Sequence, residues 1–211
     1  MRNFLKHNVF IYCMGAFAFV GLFLLVFFAK GDIVLAINRY ANQSLDAFFV
    51  LFTEVGNGLV YLLVGLIMLF FSYKKTFEIM LVGLLLLISS FVLKHFVFPD
   101  FVRPTAYFSL EQFSHIMPDF TYAKHFSFPS GHSITIFGLA TVLSYQTKKS
   151  LYHILLFCLA CAVGFSRMYV LQHFFMDVYV GALLGFCIAA GGIYIAKSTT
   201  SFSEKGLKDL F

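Results

Sequence analysis

Three short polar runs interrupt a strongly apolar chain, and their residue types suit one chemistry, the holding and cleavage of a phosphate ester. The runs are Lys94 followed by Arg103-Pro104, then Pro129-Ser130-Gly131-His132, then Ser166-Arg167 with His173 and Asp177 beyond. Arg103 and Arg167 offer planar forks that bind phosphate oxygens bidentately, and Lys94 adds a point charge. Ser130 is an N-cap residue, Gly131 lets backbone come close to a ligand, and the free amides of a helix start form an anion site. His173 and Asp177 are four residues apart. On a helix they share a face, where the carboxylate fixes the imidazole tautomer and supports its positive charge as it attacks. His132, on another element, is placed to protonate a departing alkoxide, with attack and departure in line. A neutral His173 and a protonated His132, needed together, imply a bell-shaped pH dependence.

Taken singly, each group has a plainer reading: Lys94 as a snorkelling span-end lysine, Arg103-Pro104 as a loop turn, His173 as an interfacial histidine. Charges near the hydrocarbon cost about 2.5 to 3.5 kcal/mol each at a helix centre and less toward its ends. Several of them on one membrane face therefore need a common reason. Glu54 and Asn57 are further candidates for touching a substrate headgroup, although turn formation and capping explain them as well. His95, His115, His125 and Lys124 read as interfacial residues of a cap, and His7 and His153 have no evident role.

The elements that must position these groups are membrane helices. The chain has 211 residues, 60% of them hydrophobic, 30 phenylalanines and a mean hydropathy of +0.87. Only 12% of residues are charged, against about a quarter in a soluble domain. Apolar runs near residues 9–29, 58–73, 77–98, 133–146, 151–165 and 174–196 predict about six spans. The first follows Arg2 and Lys6 like a signal peptide, but it is too long and lacks a small-x-small cleavage site, so it reads as a retained span. Residues 32–57 mix Ile33, Leu45 and Phe48 with Asn38, Arg39 and Asp46, which suits an interfacial helix before the second span. The polar interval 99–130, studded with aromatic residues, reads as a cap at headgroup depth. The expected fold class is therefore an all-α polytopic bundle, with residues 1–211 forming one domain.

Cys13, Cys158, Cys161 and Cys187 fall inside spans and read as small packing residues. Six alternating spans put Arg2, Lys6, Lys74, Lys75, Lys148, Lys149, Lys197, Lys205 and Lys208 on one side, which the positive-inside rule makes cytoplasmic. The other side receives Lys30, Arg39, Lys94, Arg103, Lys124 and Arg167 with most of the acids, Asp119 and Asp177 among them. The net charge of +5 is thus a topology signal and implies no nucleic acid.

The three ordered motifs resemble the signatures of the type 2 phosphatidic acid phosphatase family, membrane lipid phosphatases related in fold to the vanadium haloperoxidases. The resemblance covers roughly residues 46–196, including the Gly56-Asn57-Gly58 turn. The first motif departs from the pattern: eight residues, "HFVFPDFV", separate Lys94 from Arg103, two more than is usual. The resemblance implies a phosphohistidine route without a metal or other cofactor. In it His173 attacks phosphorus, Asp177 orients His173, and His132 protonates the leaving group. Lys94, Arg103, Ser130, Gly131 and Arg167 would bind phosphoryl oxygens.

The substrate would be a lipid phosphate monoester or diphosphate, with undecaprenyl diphosphate, phosphatidylglycerol phosphate, phosphatidic acid and lipid A phosphates as candidates. Membrane lipids are the expected surroundings. The small size suggests a bacterial inner membrane with a periplasmic site and cytoplasmic termini. Alternatives are a lipid phosphotransferase of the same fold, a transporter using His132, His173 and Asp177 as zinc ligands, or a noncatalytic lipid-binding scaffold.

Overall fold

A computed structural model describes residues 8–118, 120–199 and 204–210. Arg2, Lys6, His7 and Asp119 lie outside the described residues. The chain is an all-α polytopic bundle. In chain order its helices are α1 (Val9–Phe27), α2 (Asp32–Asn38), α3 (Gln43–Thr53), α4 (Leu59–Phe71), α5 (Tyr73–Val92), α6 (Pro104–Tyr107), α7 (Gly131–Gln146), α8 (Ser150–Tyr169) and α9 (Phe175–Thr199). Helices α1, α5 with its extension to Val97, α8 and α9 are each long and apolar enough to cross a membrane. Exposed Phe19, Leu63, Leu87 and Leu155 lie along α1, α4, α5 and α8, the apolar exterior expected of helices set in lipid.

Two of the six expected spans are too short to cross the hydrocarbon as single helices. Helix α4 has 13 residues and α7 has 16, about 20 and 24 Å at 1.5 Å per residue, against about 30 Å of hydrocarbon. Helix α3, with its single-turn extension Glu54–Gly56, and α4 together pass as one span bent by 61°. The segment read as one interfacial helix is therefore two helices, the second running on into the bent span. Local chemistry sets these breaks. Asn42 caps α3 by accepting the Leu45 N–H (3.3 Å), and Asn57 restarts the chain by accepting that of Leu59 (3.1 Å). Helix α7 is the central one, packed on α5, α8 and α9. Its two threonines are satisfied within the helix: Thr135 donates to the Gly131 carbonyl (2.9 Å) and Thr141 to that of Phe137 (2.7 Å).

The contact between α7 and α9 sets the site. Gly181 and Gly185, four apart on α9, face α7 so closely that a Cβ would come within 2.8 Å of the Ser130 carbonyl oxygen and 2.4 Å of the Ile134 carbonyl oxygen. Small residues at this spacing let membrane helices approach backbone to backbone. The approach brings the Ser130 N–H to the Asp177 carbonyl at 3.0 Å, fixing the start of α7 against the start of α9. At the opposite end Lys74 pairs with Glu204 at 2.7 Å and the Tyr73 N–H donates to the Lys205 carbonyl at 2.9 Å. The last described segment is thus tied under the α4–α5 turn.

Candidate active site

Every motif residue lies at one end of the bundle, because successive helices run in alternate directions and the motifs fall at the ends of α5 and α8 and the starts of α7 and α9. His173 sits in the connection between α8 and α9 and is 1% exposed. The chain reaches it by a sharp reversal. Leu171 takes a left-handed conformation (φ 54°), which costs a side-chain-bearing residue about 1 to 2 kcal/mol. The reversal aims the Gln172 and His173 N–H groups at the Arg167 carbonyl (3.0 and 3.2 Å).

His173 Nδ1 lies 3.5 Å from Asp177 Oδ2 and has no made hydrogen bond. Catalytic hydrogen bonds are often this long before substrate arrives. Asp177 itself is firmly held, since Oδ2 accepts from Ser127 Oγ (2.5 Å) and the Phe174 N–H (2.9 Å). With Nδ1 toward Asp177, Nε2 is the nitrogen left for a substrate.

Three cations surround this pair. Arg167, 7% exposed, donates through Nη1 to Thr53 Oγ1 at 2.7 Å, while its buried Nε has no partner. A charged donor left unpaired in a buried site is costly unless a ligand completes it. Arg103 is held by Gln172 Oε1, which accepts from Nη1, and by the His125 carbonyl, which accepts from Nε at 2.9 Å. Lys94 reaches the start of α7: a Cβ on Gly131 would lie 3.5 Å from Lys94 Nζ.

The longer first motif is absorbed locally. Residues Leu93–Val97 widen into a π turn, and the chain is then laced to the segment leading into α7. The Ser127 N–H donates to the Phe101 carbonyl and the Arg103 N–H to that of Lys124, both at 2.9 Å. Phe98, Phe101 and Phe128 pack ring to ring beneath this lacing.

His132, half-buried in the first turn of α7, has the cations Arg167, Lys94 and Arg103 and the imidazole of His173 as its electrostatic neighbours. Ser130 is the N-cap of α7, its Oγ accepting from the Ser133 N–H (3.3 Å) and hydroxyl (2.9 Å). Glu54 and Asn57 stand at the edge of the cluster. Asn57 Nδ2 donates to Glu54 Oε2 at 3.1 Å, and Glu54 is in electrostatic range of Arg167. His95 stacks between Phe91 and Phe126, and His115 pairs with Asp46 at 2.8 Å. Neither enters the cluster. His153 is at the other end, bonded to the Thr147 carbonyl at 3.1 Å. Among the described residues no three His, Cys, Asp or Glu side chains converge to hold a metal.

The model of the PAP2 superfamily matches residues 75–200, more than half of the chain. The chain belongs to the PAP2 superfamily. Its backbone superposes on Aquifex aeolicus LpxE with a TM-score of 0.68 at 30% identity, over 81% of this chain and 98% of that one. It also superposes on a Bacillus subtilis PAP2-type phosphatidylglycerolphosphate phosphatase with a TM-score of 0.62 over 92% and 98% of the two chains, at 22% identity. That second likeness is one of fold. In sequence, 86 residues are 34% identical to a lipid A 1-phosphatase of Porphyromonas gingivalis. The match takes in 40% of this chain and spans 19% of that relative's length. The apolar helices and these membrane relatives make this PAP2 chain an integral membrane protein.

Three residues of the PAP2 cluster were missed in the sequence. Ser127 holds Asp177, Gln172 holds Arg103 and Thr53 holds Arg167. Thr53 lies ahead of the matched segment, in α3. Replacing it by valine keeps its shape but removes the acceptor. A hydrogen bond to a charged group is worth about 1.5 kcal/mol or more, so Thr53→Val is expected to lower kcat/KM for a phosphorylated substrate roughly tenfold. Thr53→Ser should restore it, and the two melting temperatures should agree.

The electrostatics around His173 give a second expectation. Burial, then Arg167, Lys94 and Arg103, hold its imidazole well below the ordinary range. A lowered value keeps the ring neutral at neutral pH and moves its protonation, on acidification, below about pH 6.5. Arg103→Gln removes one of these cations and so raises the value. The acid limb of kcat/KM should move to higher pH than in the wild type, with the substrate's own ionisation common to both. An unmoved limb would show that His173 does not set it.

Proposed function

We propose that this PAP2 protein is a membrane lipid phosphatase that hydrolyses a phosphate monoester or diphosphate through a phosphohistidine. The observation that carries the reading is the buried His173–Asp177–Ser127 chain set among Lys94, Arg103 and Arg167, with the Arg167 Nε unpaired. The local match to a lipid A 1-phosphatase supports a lipid phosphate as substrate, and the likeness to LpxE, over 81% of this chain, supports the PAP2 fold around the site.

In the proposed reaction the substrate phosphoryl group lies over the start of α7, its oxygens shared by Arg103, Arg167, Lys94 and the amides after Ser130. His173 Nε2 attacks phosphorus and the bond to the lipid oxygen breaks. That oxygen takes a proton from His132, while Asp177 supports the positive charge gathering on His173. Water, giving its proton to His132, then attacks the phosphohistidine, and inorganic phosphate departs with His173 neutral again. No metal or cofactor enters these steps. Fixed cations and helix-start amides suit a displacement that needs charge stabilisation more than covalent help.

The lysines at the end opposite the site favour a cytoplasmic location for that end, with the termini. The site then faces away from the cytoplasm, at the periplasmic side of a bacterial inner membrane. The whole chain acts as one unit in this reading, because α1 and α3 pack on the motif-bearing helices. The test is a panel of lipid phosphates assayed in EDTA for phosphate release, with the His173→Ala protein alongside. Release from at least one lipid by the wild type alone supports the reading. No release from any, or equal release by both proteins, contradicts it. Phosphate appearing on an added lipid alcohol, in place of free phosphate, would make the protein a phosphotransferase of the same chemistry.

A further inference from the structure

A hollow separate from the catalytic cluster opens on the bundle's apolar side. It has a volume of about 820 Å³ and lies between the last turn of α1 (Leu24, Phe28), α2 (Ile33), α3 (Leu45, Phe49) and the last turn of α8 (Phe165). Phe165 and Tyr169, one helical turn apart, form its wall. Arg167, two residues from each, projects from the other side of α8, so the helix separates the hollow from the catalytic cations.

Depth and charge decide what fills it. The lining turns close two membrane-crossing helices, so the hollow lies just inside the hydrocarbon boundary at the site end. Water in an apolar cavity lacks hydrogen-bond partners, and the adjoining solvent is lipid chain. The rim differs from the walls. It carries Asp32, Arg39 and Tyr40. Asp32 is engaged, accepting the Ala29 N–H at 2.8 Å. Arg39 is exposed and its guanidinium makes no hydrogen bond or ion pair among the described residues, and Tyr40 beside it is 82% exposed. An aromatic ring and an uncompensated guanidinium at headgroup depth, above an acyl-sized hollow, complement a lipid with an anionic head.

We propose that this cavity binds one anionic phospholipid of the surrounding bilayer, acyl chain in the hollow and phosphate on Arg39, as a site separate from the catalytic one. The bound lipid would pack against Phe49 and Tyr169. Those rings stack at 4.1 Å, and the Tyr169 hydroxyl donates to Asp46 Oδ1 at 2.8 Å. The site thus touches the elements that bear Thr53 and Arg167 without sharing their ligand. The inference does not depend on the proposed reaction, because the probe lipid is a phosphodiester and no substrate of it.

The chain has no tryptophan, which makes a single introduced indole a clean reporter. Phe165→Trp places it in the cavity, Leu45→Trp places it on the opposite wall, and Phe19→Trp, at a 76% exposed position on α1, reports ordinary lipid contact. Each protein is reconstituted in phosphatidylcholine bilayers containing rising fractions of brominated phosphatidylglycerol or brominated phosphatidylcholine. The two cavity probes should reach half-quenching at about fivefold lower mole fraction of the anionic lipid, the selectivity expected of one cation near the headgroup. Phe19→Trp should not distinguish the lipids, and Arg39→Gln added to Phe165→Trp should abolish the preference. Equal quenching of both cavity probes by the two lipids, or a preference that survives Arg39→Gln, would overturn the proposal.

Discussion

Alanine at position 173 is expected to lower phosphate release by roughly four orders of magnitude or more, the usual consequence of removing a nucleophile from a constellation that acts as a unit. The fold should survive. Asp177 Oδ2 keeps its bonds from Ser127 and the Phe174 N–H, and the reversal that carries His173 is held by backbone bonds to the Arg167 carbonyl. Truncation leaves a small buried gap beside polar groups, so the melting temperature is the control that separates lost chemistry from lost structure. Substrate should still bind, because Lys94, Arg103, Arg167 and the start of α7 are untouched. Unchanged affinity for a lipid phosphate with abolished turnover is the pattern that identifies a nucleophile.

Asparagine at position 177 is the second large effect, expected to cost about 10³ to 10⁴ in kcat. The substitution is nearly isosteric, and its amide oxygen can still accept from Ser127 and Phe174. What disappears is the negative charge beside His173 Nδ1 and the preference for the tautomer with Nε2 free to attack. Because the carboxylate acts through the imidazole, KM should change little while kcat falls. Single-turnover mixing of enzyme and lipid phosphate should place the loss in the first, phosphoryl-accepting step. A matching fall in affinity would instead make Asp177 part of the phosphate-holding framework.

The parts of this site legible in the sequence are those whose geometry is local. Ser130 followed by Gly131 marks a helix start, and the structure caps α7 there through Ser133. His173 and Asp177 are related by one helical turn. Charged residues at the ends of apolar runs had to share one face once the helices alternated.

What was not legible depends on contacts distant in sequence. Ser127 and Asp177 are 50 residues apart, Arg103 and Gln172 69, and Thr53 and Arg167 114, and no spacing rule links such pairs. Thr53 in particular looks like one more hydroxyl in an apolar helix until α3 is folded onto α8. The extra length of the first motif could be counted, but the π turn at Leu93–Val97 that absorbs it has no periodicity to betray it. The central place of α7 was hidden for a related reason. Its residues are apolar enough to read as a span, yet its place is the centre of the bundle, where helices and not lipid surround it.

The most direct measurement of the central claim is capture of the phosphorylated enzyme. A lipid phosphate labelled with ³²P is mixed with the wild-type protein, and the reaction is quenched in alkali within the first turnover, before peptide mapping. The account predicts an acid-labile, alkali-stable label on His173, absent when Asp177 or His173 is replaced. Label on another residue, or phosphate release without any labelled enzyme and undiminished by His173→Ala, would contradict it.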